Sequence, residues 1–162
     1  MYKIEIKSKN PESTLLIGKS FAAHLSKGDV VVLSGELGAG KTKFVEGVLQ
    51  NFGLENEISS PTFNIINEYT SIENNIYHFD AYRLEDSDEF YAIGGDEYFD
   101  KGICLIEWGE LIQDVMPHDY IHIKITKDLS DENIRLFTFE VIDNSKYIDM
   151  LNTFKEELNW KY

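Results

Sequence analysis

Gly35, Gly40, Lys41 and Thr42 are spaced as G-x-x-x-x-G-K-[ST], with Gly38 and Ala39 among the intervening positions. Wrapping a phosphate closely takes converging backbone N–H groups, which Gly38 and Gly40 allow because they carry no Cβ and reach positive φ. Lys41 has the length and charge to reach the β- and γ-oxygens of a nucleotide. The Thr42 hydroxyl, at the start of the following helix, is placed to ligate Mg²⁺ where the helix N-terminus adds partial positive charge. The plainer alternative is a glycine-rich turn that holds no ligand; the strand predicted before it and the helix predicted after it weigh against that.

Nucleotide hydrolysis or transfer on such a loop also needs an acidic side chain at the end of a neighbouring strand, to hold Mg²⁺ or its water. Two segments supply one, Ile103-Cys104-Leu105-Ile106-Glu107 and Ile76-Tyr77-His78-Phe79-Asp80. Alone, either acid reads equally well as a strand-end carboxylate facing solvent. Beside a phosphate loop, at least one should be the metal partner. His24, His78, His118 and His122 lack metal-ligand spacing and are read as strand or loop residues.

The elements that must position these groups are legible in the pattern. Val30-Val31-Val32-Leu33 and residues 103–106 are continuous apolar runs, read as central strands. Tyr2, Ile4 and Ile6 alternate with Lys3, Glu5 and Lys7, which predicts a half-buried edge strand. Asn10-Pro11 starts a helix with the face Leu15, Phe21, Ala22 and Leu25. The helix after the loop buries Phe44, Val45, Val48, Leu49 and Phe52 and stops at Gly53. Strands are predicted over 63–69 and 76–79, then short helices and loops around Gly94-Gly95. Segments 120–126 and 134–142 form an antiparallel hairpin. A last helix carries Tyr147, Ile148, Leu151, Phe154 and Leu158. Together these give one three-layer α/β domain with parallel central strands and antiparallel additions.

Composition narrows the class. A chain of 162 residues fits one domain, and 43% hydrophobic content excludes disorder. No apolar stretch approaches the ~20 residues of a membrane span, and the start lacks a signal peptide's apolar region, so a cytoplasmic location is expected. The single cysteine, Cys104, lies in an apolar run and reads as core. The net charge of −14 disfavours direct contact with a nucleic-acid backbone. Residues 1–43 hold seven lysines against four acids, whereas residues 44–100 hold thirteen acids around the single base Arg83. That acidic surface is either simply solubilising or a docking face for a basic protein.

A GTPase is excluded by its own pattern: Asp80 is followed by Ala81-Tyr82-Arg83 rather than a glycine switch, and Thr126-Lys127-Asp128 has its acid one position early. A small-molecule kinase is harder to set aside, although such enzymes clasp phosphate with several lid arginines and this chain has only Arg83 and Arg135. A non-catalytic nucleotide sensor is the other alternative.

Four segments in order, residues 35–42, Ser60-Pro61-Thr62-Phe63, His78-Phe79-Asp80-Ala81-Tyr82-Arg83-Leu84 and Ile106-Glu107-Trp108, resemble one family. It is the TsaE (YjeE) P-loop ATPases of bacterial tRNA threonylcarbamoyladenosine synthesis. The resemblance implies a P-loop NTPase-like fold and an ATPase of low activity alone, with ATP and Mg²⁺ as cofactors. It implies TsaB and TsaD as partners, TsaD transferring the threonylcarbamoyl group to an adenosine of tRNA, with tRNA met only indirectly through the complex. By the same resemblance Gly35, Gly38, Ala39, Gly40, Lys41 and Thr42 hold the phosphates, and Thr42 and Glu107 hold Mg²⁺. Asp80 organises the metal or the attacking water, and Thr62 senses the γ-phosphate. Trp108 packs on the nucleotide or a partner, and Thr14 and Arg135 lie near the nucleotide. Arg83 is either an ion-pair partner or a group that meets transition-state charge or a partner protein. Gly109 departs from the proline that many relatives carry after the tryptophan.

Overall fold

The two uninterrupted apolar runs become the centre of a sheet. Val30–Ser34 forms β2 and Ile103–Glu107 forms β5, paired in parallel, with their apolar residues buried on both faces. This is why neither alternates. The computed structural model describes residues 1–36, 38–57, 65–142 and 144–161. Among them the sheet has seven strands, with β1 (Tyr2–Ser8), β3 (Ile66–Thr70), β4 (Asn75–Asp80), β6 (Ile121–Lys127) and β7 (Arg135–Val141) completing it in the order β1-β7-β6-β2-β5-β4-β3. The pairs β6/β2, β2/β5 and β5/β4 are parallel, and the outer pairs β1/β7, β7/β6 and β4/β3 are antiparallel. A parallel centre with antiparallel margins is the architecture the sequence predicts, and the alternating first strand does lie at the edge.

One face of the sheet carries three helices, α1 (Pro11–Ala22), α2 (Lys41–Asn51) and α4 (Ser145–Lys161). Asn10 caps α1, its side-chain oxygen accepting the Ser13 N–H at 2.8 Å, with Pro11 in the first turn. Of the predicted face, Phe21 and Ala22 are buried on α1 and Leu25 in the turn after it; Ile17 is buried beside them, and Leu15 is only partly covered. α1 meets α2 through glycines. A Cβ on Gly18 would fall 2.3 Å from the Phe44 carbonyl oxygen, and one on Gly47 would fall 2.1 Å from that of Leu15. The two backbones therefore touch, which fixes α2, and with it the loop that precedes α2.

The opposite face is thinner. It is covered by α3 (Ser87–Ala92) and by 3₁₀ turns at Ala81–Arg83, Gly95–Asp100 and Gly109–Val115, packed on Tyr77, Phe79, Cys104 and Ile106. Phe79, Phe90, Tyr98 and Phe99 interlock there with ring centroids 5.7–5.9 Å apart. Cys104 is fully buried, and burial pushes its thiol up to about 12, as suits a core residue. The strand predicted over 63–69 is seen from Ile66 onward; Thr62 and Phe63 lie outside the described residues. Among the described residues no helix is long and apolar enough to cross a membrane.

Candidate functional site

Three chain segments converge where the parallel strands end. β2 runs out at Ser34 into the glycine-rich loop, Glu107 closes β5, and Asp80 closes β4. In register, Leu33 sits opposite Glu107 and Glu107 opposite Asp80. The carboxyl edge of parallel strands is where open α/β sheets build their sites. Period-two alternation puts Glu107, His78 and Asp80 on the face of β5 and β4 that carries α2, because the intervening Ile106 and Phe79 point to the thinner layer.

The loop has the backbone that phosphate capture requires. Gly38 and Gly40 hold φ of 80° and 106°, a region that disfavours any side chain. A Cβ on Gly35 would fall 2.8 Å from the Ile125 carbonyl oxygen, so the loop leaves β2 hard against β6. Gly40 caps α2 and offers no side chain to its first N–H groups, which leaves them for an anion. Thr42 is exposed in the first turn of α2. Lys41 is folded inward and buried: its Nζ donates to the Gly35 carbonyl at 2.7 Å and lies 4.1 Å from the centre of the Trp108 ring.

Arg135 braces the loop from outside. Its Nε donates to the Ala39 carbonyl at 3.0 Å and its Nη2 to that of Gly38 at 3.4 Å, while Nη1 donates to the carbonyls of Ile134 and Glu132. Thr14 is buried beside Gly40 and shares a 2.7 Å hydrogen bond with Ser8. Pro11, Thr14, Gly40, Lys43, Asn133 and Arg135 line a cleft of about 160 Å³ on this side. A larger one, about 540 Å³, runs from Ser34 and Gly35 to Lys124 and Leu129. Thr62 lies outside the described residues.

The two carboxylates differ in setting. Glu107 is mostly buried, and its Oε2 accepts a hydrogen bond from His78 Nε2 at 2.9 Å. Burial alone would push its carboxyl up, but the His78 hydrogen bond, the charge of His78 and the Lys41 ammonium outweigh it and hold the group below the ordinary carboxylate value. Asp80 is more open; its Oδ1 accepts the Tyr82 N–H at 3.2 Å and its Oδ2 faces Arg83 Nε at 3.5 Å. The ion-pair reading of Arg83 is thus realised in a loose, part-exposed form. Trp108 holds φ of 62°, donates its backbone N–H to the Leu33 carbonyl at 3.1 Å and lies 5.3 Å from the Tyr82 ring. Its ring therefore stands between the loop lysine and the segment that follows Asp80.

Among the described residues no three His, Cys, Asp or Glu side chains gather to hold a metal on their own. Mg²⁺ in phosphate sites takes one or two carboxylates with substrate oxygens supplying the rest, so Glu107, Asp80 and the Thr42 hydroxyl fit that ion. Two further contacts escape a reading of the sequence: the His78–Glu107 bond, and a chain joining Ser34 to Glu110 at 2.8 Å and to His122 at 2.7 Å. Only the first left a signal, since His78 stands two residues before Asp80 on a predicted strand and must share its face.

This arrangement defines a P-loop α/β protein, with a glycine loop, its lysine and two strand-end acids at one edge of a parallel sheet. The profile of the family described as "Threonylcarbamoyl adenosine biosynthesis protein TsaE" matches residues 8–135. The chain belongs to the TsaE family. It is 41% identical over 145 residues to the tRNA threonylcarbamoyladenosine biosynthesis protein TsaE of Bacillus subtilis, covering 89% of both chains. The protein of the same description from Rickettsia felis is 37% identical over 144 residues, covering 88% of this chain and 82% of its own. The crystal structure of Bacillus subtilis YdiB superposes with a TM-score of 0.78 at 33% identity, over 96% of each chain.

Proposed function

We propose that this chain binds ATP with Mg²⁺ on the residue 35–42 loop and hydrolyses it, as an ATPase of tRNA threonylcarbamoyladenosine synthesis that acts on TsaB and TsaD rather than on tRNA. The observation that carries this reading is the meeting of the loop with Glu107 and Asp80 at adjacent strand ends. The loop N–H groups and Lys41 bind and orient the phosphates, and Thr42 and Glu107 hold the metal, which when bound neutralises charge building on the phosphate oxygens. Asp80, more open than Glu107, orients the attacking water. Lys41 exchanges its bond to the Gly35 carbonyl for phosphate oxygens.

One feature supports an ATPase over a kinase, and another a protein partner over tRNA. Both arginines of the chain are engaged, Arg135 with loop carbonyls and Arg83 with Asp80, whereas a kinase lid needs guanidinium groups free to clasp a transferred phosphate. The net charge of −14 supports a protein partner over direct contact with tRNA. With γ-labelled ATP, the label should appear as inorganic phosphate, and Glu107→Ala should abolish its release. Transfer of label to a metabolite would establish a kinase instead; release at background level in wild type, Glu107→Ala and Asp80→Ala alike would leave only a sensor.

A further inference from the structure

His78 is a buried group to which the ATP and Mg²⁺ reading gives no task. Its side chain is 5% exposed, it lies on β4 opposite Leu105 and Asn67, and it points to the α2 side of the sheet. Its Nε2 meets Glu107 Oε2 at 2.9 Å, and its Nδ1 is buried without a hydrogen-bond partner among the described residues. An imidazole kept only for packing would be better replaced by an apolar side chain, since an unpaired buried nitrogen is destabilising. The ring instead directs its N–H at one oxygen of a carboxylate standing at the mouth of the loop.

Glu107 needs that support. It is the last residue of β5, and the next residue, Trp108, turns away in a left-handed conformation. A glutamate side chain has three rotatable bonds, and a metal-holding carboxylate is useful only when its plane is fixed before the ion arrives. His78 sits diagonally across the β4/β5 register from Glu107, through Asp80↔Glu107 and His78↔Leu105. This is the relation in which neighbouring strands bring long side chains together on one face. The bond occupies Oε2 and so sets the direction in which the rest of the carboxylate faces.

We infer that His78 is the positioning residue for Glu107, locking the carboxylate in the orientation that receives Mg²⁺ with the nucleotide. This assignment rests on the ATP and Mg²⁺ reading above. His78 touches neither nucleotide nor metal and acts only through the glutamate.

The test is Mg²⁺ titration of fluorescent ATP-analogue binding by the full chain, with calorimetry in EDTA as the metal-free reference. In His78→Leu the Mg²⁺ concentration for half-saturation should rise about 10-fold or more, the loss typical of removing a group that orients a metal ligand, while metal-free affinity stays within about 2-fold. His78→Gln, whose amide N–H reaches roughly where Nε2 lies, should restore the midpoint to within about 3-fold of wild type. In a Glu107→Gln background, His78→Leu should add nothing, because the two act as one unit. If His78→Leu does not fold, His78→Asn, whose amide is too short to reach Glu107, takes its place with the same expectation. An unchanged midpoint, an equal loss with and without metal, or an undiminished loss in the Glu107→Gln background would overturn the assignment while leaving the nucleotide reading intact. A wild-type chain whose analogue binding ignores Mg²⁺ would overturn that reading, and this assignment with it.

Discussion

Replacing Gly47 by alanine should destabilise the protein by about 2 kcal/mol and weaken nucleotide binding together with it. A Cβ at this position would sit 2.1 Å from the Leu15 carbonyl oxygen and 3.0 Å from Leu15 C and from Lys19 N, all backbone atoms of α1. Ordinary contact lies at 3.4–4 Å, and no rotamer change can relieve a clash with backbone, so α2 must move bodily off α1. Overpacking of this kind costs roughly 1–3 kcal/mol, and contact with rigid backbone belongs at the upper end. The better helix propensity of alanine offsets about 1 kcal/mol of that. For a chain of 162 residues the remainder lowers Tm by roughly 4–8 °C. The N-terminus of α2 carries Gly40, Lys41 and Thr42, so the same displacement disturbs the loop and ATP affinity should fall. Scanning calorimetry reads the first effect and titration calorimetry the second. Gly18→Ala, with its Cβ 2.3 Å from the Phe44 carbonyl oxygen and 3.3 Å from Gly47 Cα, should behave alike. The double substitution should cost less than the sum, because one displacement relieves both clashes. A Gly47→Ala protein with Tm at or above wild type would refute backbone contact between the helices, since propensity would then have decided the sign.

Lys41→Ala should lower ATP affinity by about 1.5–3 kcal/mol, the range of a charge-assisted hydrogen bond, and unchanged affinity by calorimetry would remove the lysine from the phosphate site. Asp29 is fully buried before β2 and accepts from Lys146 Nζ at 2.9 Å, the Tyr147 hydroxyl at 3.0 Å and the Ser26 N–H at 2.8 Å. Asp29→Ala should therefore lower stability by about 2–3 kcal/mol, yet leave ATP affinity unchanged because Asp29 and the loop lie at opposite ends of β2; a fall in affinity at full stability would contradict that. His122 titrates below its ordinary value of 6.5 because burial disfavours its charged form, with Lys124 acting the same way and Glu140 and Glu110 opposing. The unfolded chain then binds the proton first, so stability should fall as pH drops below 6.5. His122→Gln should flatten that limb of a Tm-against-pH curve, and an identical slope in the variant would place the proton elsewhere.

Much of the fold could be read because its signals are local. The runs 30–33 and 103–106 lie buried on both faces and so show as unbroken apolar stretches, and the alternation in β1, β6 and β7 follows from having one covered face. The loop was legible for a related reason: its glycines, lysine and threonine are consecutive, and their chemistry is that of a single turn. Contacts between residues far apart in sequence were not. Gly18 and Gly47 look like weak points in two helices until the helices are packed together, and Arg135, which only the family resemblance set near the nucleotide, is seen to hold the carbonyls of Gly38 and Ala39 only once the chain is folded. Both strand-end acids were found, but their unequal settings come from His78 and Arg83, partners that spacing alone does not assign. The α1 face was legible in the local pattern for Phe21, Ala22 and Leu25, which are buried, while Ile17 was missed and Leu15 is only partly covered.

Steady-state ATP hydrolysis by the purified chain, alone and then with TsaB, TsaD and tRNA, bears most directly on its role. Slow turnover alone that rises strongly when the partners are present is the expected result, with Glu107→Ala and Lys41→Ala abolishing the increase. Vigorous turnover by the isolated chain, unchanged by partners and tRNA, would contradict a partner-dependent ATPase.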